Sequence, residues 1–331
     1  MRNSFILDPS TTIEWKDKSM HLPIKIDWRI LAPVLVATAG VCWGVIGLFS
    51  TYLSSVGLRP EQITVVRCVI AAGAIGLFLL ARKRSAFAIR LKDIWMFLGT
   101  GILSIAFFNV CYFACIDLCG LSIAAILLYT APCFVVLLSA FFFKERLTRQ
   151  RGSALVLAFV GCLLVVGIGA GESALSGFGI FVGLASGIGY ALYSIFARVA
   201  LKRYKAPTVM FYTFLFASLT LIPFAEPQAI VALASDSSTA LVVMIALALV
   251  STVTPFACYT VGLAHMETGK ASIMAFIEPM VSLLIGISVF GDVLTFTNGL
   301  GIVAILIAVA LLNTPEEKIC HLYKAVRNRS S

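Results

Sequence analysis

The chain has 331 residues, of which 60% are hydrophobic and 12% are charged, and its formal net charge is +9. A typical soluble domain is about 45–50% apolar and about 25% charged, so this composition excludes an ordinary soluble fold. It also excludes a disordered chain, which needs low hydrophobicity and high charge. The apolar residues form unbroken runs long enough to cross a bilayer as helices, rather than the alternating pattern of a membrane β-barrel.

In chain order, a segment of mixed charge (residues 1–29) comes first and is predicted to be a cytoplasmic tail, because it lacks the cleavage site of a signal peptide. Ten apolar runs follow and predict an all-α integral membrane protein with ten transmembrane helices. The second run contains Arg67 and the ninth contains Glu278, whereas the others lack charged residues. Residues 316–331 are predicted to form a second cytoplasmic tail. The predicted spans are Ile30–Leu58, Gln62–Ala81, Ile94–Ile116, Leu118–Phe143, Gly152–Gly171, Ser173–Ala197, Ala206–Ala225, Ser237–Ala264, Ala271–Gly291 and Val293–Pro315.

Lysine and arginine residues cluster in the two tails and in alternate loops, as at Arg84, Arg149 and Arg203. The other loops are mostly acidic or neutral, as at Glu172 and Asp236. The positive-inside rule then predicts that both termini are cytoplasmic. The expected location of this multi-pass protein is a prokaryotic cytoplasmic membrane. This topology and contact with the lipid bilayer account for the net charge, so no nucleic-acid partner is expected.

The sequence repeats itself at a constant offset of 147 residues, which is the separation of Gly40 and Gly187. We therefore predict two repeats of five helices each, residues 30–171 and 172–315. Because five is odd, the second repeat is predicted to be inverted in the membrane, an architecture typical of secondary transporters. Further pairs at this offset are Trp43 and Tyr190, Ser104 and Ser251, Cys111 and Cys258, Tyr112 and Tyr259, Pro132 and Pro279, and Gly152 and Gly299.

Short motifs lie in the first predicted helix and in and just after the fourth and ninth. They are Trp43-Gly44, Tyr129-Thr130-Ala131-Pro132, Phe143-Lys144-Glu145-Arg146-Leu147-Thr148, Ile277-Glu278-Pro279 and Gly291-Asp292-Val293-Leu294-Thr295. With the ten spans, these motifs resemble the EamA-type drug/metabolite transporter family over roughly residues 32 to 313. The resemblance implies a transporter of small organic solutes, often amino acids, and many members are exporters. One departure is Gly291-Asp292, where the family often has Gly-Glu, although the charge is retained.

Glu278 is the sharpest candidate for a functional residue, because a carboxylate within a membrane span is costly and usually functional. It could carry a proton or bind an ammonium group, and its equivalent in the first repeat is Ala131. The alternative is a structural role beside Pro279. Arg67 could bind a carboxylate of the solute or extend to the lipid headgroups, and the second interpretation is favoured.

Other candidates could line a pathway for the solute. Pro132 and Pro279 each remove a helix hydrogen bond, so either could act as a hinge or merely kink its helix. Aromatic rings could stack on an organic solute or attract its cation, although any one of them could instead be core packing. Asn109 could bind solute or bond to a neighbouring helix. The predicted pathway comprises Trp43, Asn109, Tyr112, Tyr129, Tyr190, Tyr193, Tyr259 and Glu278.

Position alone also suggests a gate on the cytoplasmic side. Lys270 lies just before the ninth predicted span, where it could pair with Glu145 or Glu267. Such a pair would close this gate.

The sequence predicts a secondary transporter, with a passive channel or facilitator as the alternative and an integral membrane enzyme as a less favoured one. Zinc-protease and nucleotide-binding motifs are missing, so neither catalysis nor direct use of ATP is expected. No cofactor or metal is predicted, because His21, His265 and His321 are scattered. The expected partners are a small-molecule solute and the bilayer, with no obligate protein partner.

Overall fold

The computed structural model describes residues 27–82, 84–166 and 176–314, and within these ranges ten helices are long and apolar enough to cross a membrane. The predicted number of spans is therefore confirmed. In chain order, spans 1 to 10 are Trp28–Ser55, Pro60–Arg82, Leu91–Cys119, Leu121–Phe143, Arg149–Val166, Gly177–Ala200, Ala206–Phe224, Ser238–His265, Thr268–Phe290 and Phe296–Asn313.

Some span boundaries differ from those that hydropathy predicts. Spans 3 and 4 are separated at Gly120, whose φ of 83° is in the left-handed region, and not at the charged Asp117, which lies inside the helix. Gly57, with φ of 101°, similarly follows the end of span 1 before the predicted end at Leu58. The predicted span ends at Gly171, Ser173 and Pro315, and nearly all of both tails, lie outside the described residues. These two helices thus end at glycines with a left-handed backbone conformation and not at charged residues.

Spans 4 and 9 are each broken near the middle. Span 4 consists of helix 4a (Leu121–Leu128) and helix 4b (Ala131–Phe143), and span 9 consists of helix 9a (Thr268–Met274) followed by helix 9b (Ile277–Ile285). Pro132 and Pro279 lie in the first turns of the second helices, where a residue without an N–H group is tolerated. The two prolines therefore follow the breaks instead of kinking continuous helices.

The two repeats share further backbone features at the offset of 147 residues. Span 3 is π-helical over Gly99–Ala106, and span 8 is π-helical over the overlapping equivalent segment Leu249–Val253. Lys144 and Gly291 are also equivalent, and both have positive φ, 55° and 76° respectively. Because each repeat contributes five spans to one chain, the two copies traverse the membrane in opposite directions.

Each repeat packs its first span against the broken span of the other repeat. A Cβ atom on Gly40 of span 1 would lie 3.2 Å from the carbonyl oxygen of Ala275, at the break of span 9. A Cβ atom on the equivalent Gly187 of span 6 would lie 2.9 Å from the carbonyl oxygen of Leu127, at the break of span 4. These close backbone approaches hold the breaks at the centre of the molecule.

Candidate functional site

A central cavity lies between the two repeats, next to both breaks. The volume inside it that the centre of a water-sized sphere can reach is about 40 Å³. Both repeats contribute to its wall, and seven of the predicted residues line it: Trp43, Tyr129, Pro132, Tyr190, Tyr193, Tyr259 and Glu278.

Glu278 projects from the first turn of helix 9b into this wall. The Tyr129 hydroxyl, from the break in span 4, donates to its Oε1 atom at 3.4 Å, a long hydrogen bond. Within the described part of the chain, this is the only side-chain hydrogen bond to the carboxylate, and no ion pair within 4.0 Å involves it. The carboxylate therefore keeps free acceptor sites facing the cavity.

Aromatic rings from four spans form one side of the cavity. The Trp43 ring lies 5.4 Å from the rings of Phe256 and Tyr259 and 6.5 Å from that of Tyr190, measured between centroids. Phe108 packs edge-on against Tyr190 at 5.4 Å. Edge-to-face packing of this kind fixes each ring and leaves ring faces available to a bound molecule.

Two hydroxyl pairs tie spans 6 and 8 together behind these rings. The Tyr193 and Thr260 hydroxyls are 2.6 Å apart, and the Ser194 and Tyr259 hydroxyls are 2.7 Å apart. By contrast, Ser104 lines the cavity, and its buried hydroxyl has no hydrogen-bond partner among the described residues. A polar group of a bound solute can satisfy this hydroxyl.

Some predicted pathway residues lie outside the cavity wall. Asn109 is 5% exposed, and it donates to the Ile105 carbonyl at 2.7 Å and accepts from the Thr64 hydroxyl at 3.4 Å. The contact with Thr64 of span 2 fits the alternative in which Asn109 bonds to a neighbouring helix instead of binding the solute. Tyr112 packs beside the buried Cys115 instead of facing the cavity.

Pro279 and Arg67 also lie outside the cavity wall. Pro279 is buried next to Glu278 without reaching the cavity. Arg67 does not line the cavity either, and its buried Nε has no hydrogen-bond partner in the described ranges. The favoured interpretation, in which the Arg67 side chain extends to the lipid headgroups, does not explain why its Nε is buried without a hydrogen-bond partner.

Sequence reasoning missed several residues of the wall. A lone phenylalanine or serine in an apolar span carries no signal of its own, because the sequence does not show which way the helix is rotated. The repeat offers one indirect signal for two of them. Phe256 and Phe276 are equivalent to Asn109 and Tyr129, which were themselves predicted to line the pathway. The missed residues include Ser104, Phe108, Ser194, Phe256 and Ser272.

The wall thus combines one carboxylate with aromatic faces and hydroxyl groups, and no lysine or arginine among the described residues lines it. This set suits an organic cation or an amine, which a carboxylate attracts by charge and a ring by its quadrupole. No cluster of three or more possible metal ligands occurs in the part of the chain that the structure describes.

At the predicted cytoplasmic end, the two repeats are joined by contacts that do not include the expected ion pair of Lys270. Glu145 accepts hydrogen bonds from the backbone N–H groups of Thr268 and Gly269, at 2.7 and 3.0 Å. Arg151 forms the ion pair with Glu267. The expected pairing of Lys270 was therefore wrong, because backbone groups and Arg151 occupy the two carboxylates.

Three comparisons place this architecture among known proteins. A model described as the EamA-like transporter family matches residues 30–167 and 177–314. An uncharacterized transporter of Archaeoglobus fulgidus is 30% identical over 63% of this chain and 75% of that protein. The pseudopaline exporter CntI of Pseudomonas aeruginosa is 30% identical over 51% of this chain and 58% of its own length. A crystal structure superposes with a TM-score of 0.71 at 18% identity, covering 85% of this chain and 95% of that one, which shows a common fold.

Proposed function

This chain belongs to the EamA-like transporter family, and we propose that it is a secondary transporter that exports a small amine-bearing organic metabolite, such as an amino acid. The metabolite binds in the central cavity, which opens to one side of the membrane at a time. Its relatives are transporters and not enzymes. The similarity to a protein named as an exporter supports the outward direction.

The observation that carries this proposal is the Glu278 carboxylate in the wall of an aromatic cavity. A single carboxylate next to ring faces provides a site for one positive charge. The amine of the metabolite occupies that site, its apolar part packs against Trp43 and Tyr190, and its polar groups reach the Ser104 hydroxyl.

Glu278 also provides a physical reason for coupling to protons. An unpaired negative charge is expensive at membrane depth, so the empty, ionised cavity does not readily change its orientation. The charge is neutralised either by the ammonium group of the metabolite or by a proton. Because one carboxylate accepts one or the other, outward movement of the metabolite exchanges with inward movement of a proton.

The test is transport by the full chain reconstituted into proteoliposomes. Counterflow is screened with amino acids and other amine metabolites, and accumulation is then measured under an imposed proton gradient. Glu278→Gln should lose gradient-driven accumulation and keep counterflow only at higher solute concentration, because an amide keeps the shape and hydrogen bonding but neither titrates nor carries the charge that attracts the amine. Glu61→Gln makes the same chemical change outside the cavity and should behave as wild type.

Each other outcome changes the proposal in a defined way. Loss of accumulation with counterflow of unchanged apparent affinity would assign Glu278 to the proton alone, and loss of counterflow at every solute concentration in a folded variant would assign it to the amine alone. Normal accumulation by this variant would refute both roles of Glu278. A wild-type protein that only equilibrates the solute would be a channel or facilitator.

A further inference from the structure

The two ends of the molecule differ at equivalent positions. At the offset of 147 residues, Glu145 corresponds to Asp292, and Thr268–Gly269 corresponds to Leu121–Ser122. At the predicted cytoplasmic end, Glu145 binds the N–H groups of Thr268 and Gly269, and both of these residues are buried. We call this set of three residues the cytoplasmic gate.

At the predicted outer end, the equivalent residues are apart. Asp292 is exposed and folds back onto Gly286 of its own span. Leu121 is 63% exposed, and in the described part of the chain no side chain caps the start of helix 4a. We call Asp292, Leu121 and Ser122 the outer gate, which is open.

Helix packing shows the same difference. Helix 4b packs along helix 9a, and a Cβ atom on Gly269 would lie 3.3 Å from Cγ2 of Val136 and 3.4 Å from Oγ of Ser139. The equivalent pair, helix 9b and helix 4a, hardly touches. The broken spans of the two repeats therefore contact each other at one end only, as expected for one of two alternating states.

The backbone turn that positions Glu145 is present at both ends. Lys144 precedes Glu145 with φ of 55°, and the equivalent Gly291 precedes Asp292 with φ of 76°. The same left-handed turn follows spans 4 and 9 and brings a carboxylate to the same relative position. Nothing else in the outer segment requires a carboxylate there, since Asp292 forms no ion pair with any described residue.

We propose that Glu145 and Asp292 close the two gates alternately during transport. In the opposite state, Asp292 accepts the N–H groups of Leu121 and Ser122 at the start of helix 4a, and Glu145 releases Thr268 and Gly269. The same kind of hydrogen bond is broken at one end and formed at the other, so the two states stay close in free energy. This inference rests on the alternating access proposed above.

One further contact favours the state described here. The ion pair of Arg151 with Glu267 joins the two repeats at the cytoplasmic end. At the offset of 147 residues, Arg151 corresponds to Asn298 and Glu267 to Gly120, so the ion pair has no counterpart. The protein without solute therefore rests with its cytoplasmic gate closed.

The experiment measures accessibility of one cysteine at each gate, in the full chain in membrane vesicles, with a membrane-impermeant maleimide. Ser139→Cys reports on the cytoplasmic gate, where Ser139 is 1% exposed, and Ser122→Cys reports on the exposed outer gate. The chain without either reporter gives the background from its native cysteines.

Glu145→Gln keeps one acceptor oxygen but loses the charge. It should raise the labelling rate of Ser139→Cys about tenfold and lower that of Ser122→Cys, because charge-assisted hydrogen bonds no longer favour the closed cytoplasmic gate. Asp292→Asn should change both rates in the opposite direction. Because Asp292 is exposed, this second variant keeps its packing even if Glu145→Gln folds poorly.

Asp236→Asn removes another exposed carboxylate at the outer end and is the matched control, for which neither rate should change. If Asp292→Asn also leaves both rates unchanged, or if Glu145→Gln changes neither, the carboxylates are local caps and the gates are refuted. Counterflow of a mixture of amino acids is measured on the same vesicles. Its absence counts against the proposed function, whereas reporters that do not respond count against the gates.

Discussion

Spans 4 and 9 have the same architecture and different chemistry. Each is broken just before a proline, and each ends at a residue with positive φ. Yet in the first turn after the break, span 4 presents Ala131 to the cavity at the position where span 9 presents the equivalent Glu278. The repeat thus supplies a symmetric scaffold, and substitutions in one copy supply the charge that distinguishes the two halves.

The packing of the neighbouring spans follows this difference. Ala191 of span 6 has a Cβ atom where it packs with Ala131, whereas the equivalent residue of span 1 is Gly44. A Cβ atom on Gly44 would lie 2.6 Å from that of Val281 and 2.9 Å from the Glu278 carbonyl oxygen. At this position span 1 therefore leaves no room for a side chain against helix 9b, whereas span 6 carries one against Ala131.

The largest expected effect comes from filling that close approach. Gly44→Ala should lower the free energy of unfolding by about 1–3 kcal/mol, the usual cost of overpacking, because Val281 and the backbone of helix 9b must shift. Gly47→Ala, also in span 1, is the matched control, since nothing lies within 4 Å of its Cβ position. Thermal unfolding in detergent measures both. Equal midpoints for the two variants would contradict the close packing of span 1 on span 9.

The next largest effect is a loss of affinity for the solute, which should differ between variants of the two equivalent aromatic residues of spans 1 and 6. Trp43→Leu should weaken the apparent affinity for the solute about tenfold, and Tyr190→Leu somewhat less, because indole attracts cations more strongly than phenol. Phe178→Leu, on the exposed face of span 6, is the control and should have no effect. Concentration-dependent counterflow provides the measurement. Unchanged affinity in folded Trp43 and Tyr190 variants would make both rings core packing only.

The smallest effect concerns the hydroxyl that joins the two breaks. Tyr129→Phe should weaken the apparent affinity about threefold, because the lost hydrogen bond to Glu278 is long, and net hydrogen bonds contribute modestly. Phe276→Tyr adds a hydroxyl at the equivalent position of span 9 and serves as the comparison, with no gain expected. A Tyr129→Phe variant as impaired as Glu278→Gln would show that the hydroxyl takes part in coupling.

The sequence predicts the fold well because the membrane imposes a strong rule. Every span must be long and apolar, so hydropathy alone indicates ten helices, and the offset of 147 residues indicates the two repeats. Helix ends were less accurate, because Gly57 and Gly120 end helices by backbone conformation and not by charge.

The cavity was predictable only where a residue type is unusual at membrane depth. Glu278 is such a residue, and the aromatic pairs of the repeat point to the same region. Asn109 and Tyr112 were placed in the pathway because the sequence does not give the rotation of span 3 about its axis. Lys270 was paired incorrectly, since side-chain reach between loops depends on how the helices pack.

The packing of Gly40 and Gly187 has a consequence for the origin of the molecule. Each glycine belongs to one repeat and covers the break of the other, so a five-span unit alone leaves the backbone of its broken span uncovered in lipid. An ancestral protein with a single unit would have needed a second copy inserted upside down. Gene duplication and fusion would then have fixed the two orientations in one chain, which freed one copy to gain a charge that the other lacks.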